Sequence, residues 1–291
     1  MDVKPYEFMV KETPAREWSE GMGSLIAVAM FLGGVSGGLY LTSLYFNNVW
    51  GMFIAWIFAL GMGLFDMAHL SKPFRAWRIA FRPGSSWISR GFIFVILFIG
   101  AAGIQLLINL MTGNPADITP AEIFFRVVAG IFAFGVAIYS GFVVGFVNGV
   151  KFWNSGIMPI LFVVAGVTGG ASVLLAAAAY TSAGDFSTIQ TMARFMLVFY
   201  TIVIFVHLWI ATYSGPVARD SARMLVKGNL AGIFWVIIIL IGVVVPLIFV
   251  FTAGADSSII LMLSAAMVLL GNLALRYSIL RAGMYTPLVP E

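Results

Sequence analysis

Asp66 and His69 stand three residues apart at the end of a long apolar run. In a helix this spacing places both side chains on one face, so that they can act together. Ionisable side chains at membrane depth are costly to bury and mark functional positions, and histidine is the side chain that exchanges a proton near neutral pH. The pair is therefore a candidate site for proton transfer.

The stretch that follows, from His69 to Gly91, is strongly basic and contains no acidic residue. A loop with this charge must lie outside the hydrocarbon of a bilayer and favours an anionic or electron-rich neighbour. Two roles are open, contact with lipid phosphates as part of membrane topology and docking of a partner protein. The basic residues are Lys72, Arg75, Arg78, Arg82 and Arg90.

Composition identifies the class of protein. The chain of 291 residues is 61% hydrophobic and only 10% charged, whereas soluble domains have about 25% charged residues. It is therefore an integral membrane protein, and topology explains its net charge of +4 better than nucleic-acid binding does. The chain has no cysteine, which excludes disulfides and thiolate-held zinc or iron–sulfur sites within it.

The two histidines do not suit a shared haem. His207 stands about seven residues inside its apolar run, whereas His69 ends its own run, so the two differ in depth by about 10 Å. One haem iron cannot easily bind both. We expect His207 to form a hydrogen bond with a neighbouring helix, and we expect no metal site in this chain.

Hydropathy predicts an all-α membrane protein with eight transmembrane helices. Each span needs about 20 apolar residues, and helix is favoured even where Val, Ile and Gly are dense because the backbone must satisfy its own hydrogen bonds in lipid. The fourth helix is expected to end near Asn148. The apolar runs cover about 24–46, 49–69, 91–111, 123–147, 156–182, 191–213, 230–252 and 258–280.

Charge distribution predicts the orientation. Eight spans place both termini on one side, and that side receives all but two of the 16 Lys and Arg residues. The exceptions are Arg126 and Arg194. By the positive-inside rule both termini and the basic loop are cytoplasmic. The polar tail 1–23 has two open interpretations, an interfacial segment and a segment that docks a partner.

A faint internal repeat predicts two parallel-related four-helix bundles. Val35-Ser36-Gly37-Gly38 in the first helix resembles Val167-Thr168-Gly169-Gly170 in the fifth, and Ser-x-Pro follows the second and the sixth helix. Four helices separate the members of each pair, so the copies would be parallel. The predicted division is tail 1–23, bundle 24–147, connection 148–155, bundle 156–280 and tail 281–291.

Glycines in the first helix form two adjacent stripes of small residues. Such stripes allow helices to approach closely, and this packing role is the favoured interpretation. A slot for a flat ligand is compatible with the same residues. The glycines are Gly33, Gly34, Gly37 and Gly38.

Several of these segments resemble the membrane subunits of polysulfide reductase, the NrfD-like family. HLSKPFRAW followed by RPGSSWISRG is similar to the family's basic loop and its continuation. FLGGVSGGLYL in the first helix also matches, as does Tyr139-Ser140-Gly141 leading to Trp153-Asn154 before the fifth helix. The resemblance covers nearly the whole sequence.

The resemblance implies a membrane anchor of a respiratory complex in a bacterial or archaeal cytoplasmic membrane. Members exchange electrons between a quinone, menaquinone in particular, and an iron–sulfur subunit linked to a catalytic subunit, often a molybdopterin enzyme. Such a protein is not an enzyme on its own. Tyr139 matches the tyrosine that the family points at the quinone, so we expect Tyr139, His69 and Asp66 to bind quinone. We expect the partner to dock on Arg75, Arg78, Arg82 and Arg90.

The sequence also departs from the family pattern. The positions where the family reductase places an Asn and a His beside the quinone are Ile26 and Ala29, so His69 is expected to substitute. One alternative is the same role in a periplasm-facing complex acting on polysulfide, thiosulfate, tetrathionate or an oxyanion. An alternative of another class is a membrane transporter, whose parallel halves would rock against each other.

Overall fold

The computed structural model describes residues 7–70, 72–113, 118–181 and 185–289. Within these residues, eight helices are long and apolar enough to cross a membrane. The predicted all-α membrane architecture is therefore confirmed. The helices are α1 (Ser24–Tyr45), α2 (Val49–His69), α3 (Trp87–Thr112), α4 (Pro120–Gly145), α5 (Ile157–Thr181), α6 (Phe186–Tyr213), α7 (Ile233–Thr252) and α8 (Ser258–Arg281).

Polar capping residues set the helix starts that hydropathy placed too late. The Ser86 side chain accepts a hydrogen bond from the Ser89 backbone N–H at 3.3 Å, so α3 begins at Trp87 rather than at 91. The same kind of cap at Asp185 starts α6 five residues before the predicted 191. Side-chain oxygens at these positions satisfy backbone donors that the helix leaves unpaired. Helix α4 also begins three residues before the predicted 123 and ends at Gly145 instead of near Asn148, and α7 begins at Ile233 rather than at 230.

The glycine stripes serve helix packing, as the sequence favoured. A side chain on Gly38 would meet the backbone of Gly166, and a side chain on Gly170 would lie 2.6 Å from the carbonyl carbon of Gly38. Helices α1 and α5 therefore cross backbone to backbone. Gly37 packs in the same way against the backbone of Ala133 in α4. Neighbouring helices fill the space along α1 that a flat ligand would need.

The two halves of the protein share a pattern of helix contacts. Helix α1 packs against α2 and α4, and α3 packs against α4; α5 packs against α6 and α8, and α7 packs against α8. In addition, Pro73 opens the 3-10 helix Pro73–Phe81 after α2, and Pro216 opens the helix Pro216–Val226 after α6. The sequence showed both stretches only as loops. The duplication stays a prediction, with this recurrence in its favour.

The two terminal segments pair with each other. Strand β1 (Thr13–Pro14) runs antiparallel to β2 (Met284–Tyr285). Next to this pair, the Trp18 ring packs edge-on against Trp153 with 5.3 Å between centroids, and the Trp153 indole N–H donates to the Ile279 carbonyl at 2.8 Å. The described part of the N-terminal tail is therefore fixed on the protein's own surface. We call the end of the bundle that carries the termini and residues 72–86 the basic face.

Candidate functional site

A cavity of about 720 Å³ lies between α2, α3 and α4 near the basic face, and Asp66, His69 and Tyr139 all line it. Asp66 and His69 come from the last turn of α2, and Tyr139 lies six residues before the end of α4 at Gly145. The structure thus brings together the three side chains that the sequence grouped. The volume lies within the range of about 300–1,000 Å³ that is usual for ligand pockets.

Tyr139 owes its position to a glycine on the facing helix. Its side chain is only 9% exposed, and the ring lies directly against Gly91 in α3, where an added Cβ would come within 2.8 Å of Tyr139 Cγ. Gly91 ends the Ser-Arg-Gly motif of the basic loop. The absence of a side chain there lets α3 approach the aromatic ring closely. Asp66 is near enough to interact electrostatically with Tyr139.

His69 lines the cavity and carries a polar atom that is left without a partner in the part of the protein that the structure describes. Its Nδ1 is buried and has no hydrogen-bond partner among the described residues. A buried polar atom without a partner costs free energy, so the His69 ring is held here at a cost in stability. No group of three His, Asp or Glu side chains with metal-ligand geometry occurs in the part of the sequence that the structure describes.

The cavity opens sideways through its apolar wall. Leu64 of α2 and Ile88 and Ile96 of α3 line it, and their side chains are also 72%, 55% and 52% exposed on the outer surface of the bundle. An opening between two membrane helices suits a ligand that arrives from the lipid phase. Ile26, one of the two positions where the family pattern has a polar residue, also lines the cavity and is apolar here.

The N-terminal segment supplies a wall that the sequence did not predict. Glu17 and Trp18 both line the cavity. Glu17 Oε1 accepts a hydrogen bond of 2.5 Å from the Tyr285 hydroxyl, which belongs to the C-terminal segment. Burial and this hydrogen bond raise the pKa of the Tyr285 phenol, so that it remains a donor throughout the neutral range. No local pattern marks Glu17, because its position depends on a contact across 268 residues.

Comparison with known proteins identifies the family. The model of the family described as Polysulphide reductase, NrfD, matches residues 19–288. The chain belongs to this family. The C subunit of polysulfide reductase from Wolinella succinogenes is 26% identical over 296 aligned positions, which cover 89% of this protein and 92% of that subunit. Membership of the NrfD family makes this protein a multi-pass membrane subunit of a respiratory reductase complex.

The basic loop of this NrfD protein is tied to the helices beside the cavity. Ser89 of α3 donates to the Ile79 carbonyl, and Ile79 itself lines the cavity. Arg90 lies over the Trp87 ring at 4.4 Å and donates to the Pro83 carbonyl at 2.7 Å. Arg90 thus holds its own loop in place. The other three arginines predicted to dock a partner, Arg75, Arg78 and Arg82, are exposed.

A second polar cluster lies at the opposite end of the bundle. The charge distribution of the sequence had pointed to only one of its members, Arg126, and only as a basic residue of that face. Glu122 is fully buried and forms an ion pair of 2.8 Å with Arg126, one turn further along α4. Gln105 and Asn109 of α3 donate to the same carboxylate oxygen at 3.2 and 3.3 Å, while Glu122 Oε2 has no partner among the described residues. The sequence contained a signal for this ion pair, because Glu122 and Arg126 stand four residues apart beside apolar residues.

Two expectations about buried polar residues were wrong. Neither ring nitrogen of His207 has a hydrogen-bond partner within the described ranges; the ring packs instead against Phe152 with 4.9 Å between centroids. Arg276 does not belong to the surface of the basic face, because it lies within α8 and is fully buried. Its guanidinium donates to Asn272 and to the Phe162 carbonyl.

Proposed function

We propose that this NrfD protein is the quinone-reactive subunit of its complex. It passes electrons between a membrane quinone, menaquinone in the first place, and an iron–sulfur partner subunit linked to a catalytic subunit of the molybdopterin class. The observation that carries the proposal is the shared cavity: one laterally open, largely apolar space with His69, Asp66 and Tyr139 on its wall.

The residues around the cavity fit a quinone head group. A quinone supplies two-electron redox chemistry coupled to two protons, so each of its oxygens needs a hydrogen-bond partner, and at least one partner must exchange a proton. His69, which lines the cavity, takes this role. The Tyr139 hydroxyl binds the other oxygen, and Asp66 orients these groups or passes protons onward. The apolar walls hold the isoprenoid part of the substrate.

Docking of the iron–sulfur partner on the basic loop would bring its cluster close to the cavity. The 3-10 helix Pro73–Phe81 is both the outer surface and the wall of the cavity, since Arg75 and Arg78 are exposed while Ile79 lines the cavity. This single 3-10 helix would therefore separate a docked partner from a quinone in the cavity. Arg75, Arg78 and Arg82 supply the positive charge for an acidic partner surface.

Two substitutions test the site within the intact complex. Tyr139→Phe removes only a hydroxyl, and His69→Ala removes the proton carrier. With menadiol as donor, we expect both variants to lose most of the rate at which the partner's clusters are reduced, because proton transfer and orientation are lost together. Cluster reduction by dithionite should be unchanged, which shows that the partner is bound and intact. Wild-type menadiol rates in both variants would refute the site.

Charge reversal tests the docking surface. Arg75→Glu combined with Arg78→Glu should release the iron–sulfur subunit during purification while the protein still inserts in the membrane. The matched control reverses Arg219 and Arg223, two exposed bases on the same face, and should retain the partner. If both variants retained the iron–sulfur subunit, the docking role of the loop arginines would be refuted, and contact with lipid phosphates would be their remaining role.

The two alternatives remain distinguishable. The same role in a periplasm-facing reductase differs only in orientation, which a topology reporter decides. A transporter is disfavoured because carriers often have half-helices separated by unwound backbone near the midplane. Within the described ranges, α7 changes from a π-helix (Ile233–Val244) to an α-helix (Val245–Thr252), but its backbone stays helical at the junction. Co-purification of a partner that carries iron–sulfur clusters would separate the quinone role from transport.

A further inference from the structure

Glu17 connects the cavity with water. It lines the same cavity as His69 and Asp66, yet its side chain is exposed at the outer surface of the basic face. Glu17 and Asp66 are the acidic residues on the described lining. Asp66 stands in the last turn of α2 and is half-buried. Glu17 is therefore the acidic residue that lies both on the cavity lining and at the exposed surface.

The structure holds Glu17 in this position from several sides. Its carboxylate accepts a hydrogen bond from Tyr285, its backbone lies against Gly23, and the following residue, Trp18, packs on Trp153. Ahead of it, the Ala15 N–H donates to the Gly283 carbonyl at 2.9 Å. One hydrogen bond thus holds the carboxylate and the other contacts hold the backbone around it, whereas the side chain of an ordinary surface acid moves freely.

Other charged groups on the same segment are occupied elsewhere. Glu20 pairs with Arg281 and, at 3.9 Å, with Arg16, and the ion pair with Arg281 lowers the pKa of Glu20. Partial burial raises the pKa of Glu12, and the nearby Asp220 raises it further. Neither acid lines the cavity. Glu17 is thus the member of this segment that can serve the site.

We infer that Glu17 is the proton-exchange residue between the quinone site and water, with Tyr285 as its positioning residue. The inference rests on the proposed quinone function. When quinol is oxidised, its two O–H bonds break and its two electrons pass to the partner's iron–sulfur clusters. His69 takes up the two protons in turn at the substrate, Asp66 passes them onward, and Glu17 receives them across the cavity and releases them to water. Quinone reduction uses the same groups in reverse.

The test compares two acids of one segment in the intact complex. Glu17→Gln keeps the shape and the hydrogen bond from Tyr285 but cannot carry a proton, and Glu20→Gln is the matched control. With menadiol as donor, we expect Glu17→Gln to lower the saturating rate of cluster reduction by about tenfold or more, with unchanged half-saturation. Formate, a small diffusible acid, should restore much of the rate. Glu20→Gln should behave as wild type, and Glu17→Asp should retain part of the rate.

The outcomes separate this inference from the proposed function. A wild-type rate in Glu17→Gln, together with a loss in Tyr139→Phe, would overturn the proton route and leave the quinone site standing. A loss in Glu17→Gln that formate does not rescue, and that Glu20→Gln shares, would show that the segment acts only as a structural wall. Unaltered menadiol oxidation in Tyr139→Phe and His69→Ala would refute the quinone site itself.

Discussion

Replacing Gly91 with alanine should disturb the proposed quinone site by displacing the Tyr139 ring, without changing any polar group. The added Cβ would lie 2.8 Å from Tyr139 Cγ and still closer to two other ring carbons. Non-bonded carbon atoms prefer about 3.5–4.0 Å, so the ring must retreat by more than about 1 Å. Gly100 lies on the same helix with open space around it, and Gly100→Ala is therefore the matched control.

An alanine at Gly91 has two opposing effects on stability, a gain in helix propensity and a loss from overpacking, whereas an alanine at Gly100 has only the gain. Both substitutions gain about 0.5–1 kcal/mol of helix propensity, and Gly91→Ala alone adds overpacking of about 1–3 kcal/mol. We expect Gly91→Ala to unfold at a lower temperature in detergent than Gly100→Ala. The functional effect is larger, because a misplacement of about 1 Å at a reacting group can cost about a hundredfold in rate.

The assay is menadiol-driven reduction of the partner's clusters in purified complexes, with dithionite reduction as the measure of intact clusters. The menadiol-driven rate of Gly91→Ala should fall toward that of Tyr139→Phe, while the rate of Gly100→Ala should match that of the wild type. Equal, wild-type rates in both alanine variants would refute the argument that the Gly91–Tyr139 contact positions the site.

Three further predictions concern the rest of the bundle. Glu122→Gln should destabilise the protein by about 3–5 kcal/mol, because Arg126 loses its buried counter-charge, and combining it with Arg126→Met should restore much of the melting temperature in detergent. Gly38→Ala should lower the melting temperature by the overpacking cost of about 1–3 kcal/mol, since its Cβ would meet the Gly166 backbone, which cannot move aside; a wild-type melting temperature would contradict the α1–α5 crossing. A reporter active only in the periplasm should be silent at the C-terminus and active near Asn47, and the reverse pattern would overturn the cytoplasmic assignment of the basic face.

Sequence reasoning was reliable where lipid imposes the rule. The eight helices followed from apolar length, because a spanning segment must satisfy its own backbone hydrogen bonds. The proximity of Asp66 and His69 followed from helical spacing alone. Tyr139 came only from family resemblance, since nothing in the spacing of α4 distinguishes it. Its contact with Gly91 needed three-dimensional packing.

Charges inside the bundle were misread because a count of bases treats each one as a loop residue. Arg126 and Arg276 are buried, and their partners come from the same helix and from neighbouring helices. Glu17 was missed for a different reason. Its place at the cavity depends on the pairing of the two terminal segments, and such a long-range contact leaves no periodic trace in the sequence.

The terminal pairing also sets when the site can be completed during synthesis. Tyr285 follows the last membrane helix, α8, so a ribosome must release nearly the whole protein before Glu17 has its hydrogen-bond donor. The cavity wall closes only after all eight helices have been made. A nascent or truncated protein therefore lacks this wall of the proposed quinone site, and we expect quinone chemistry only after α8 has been inserted.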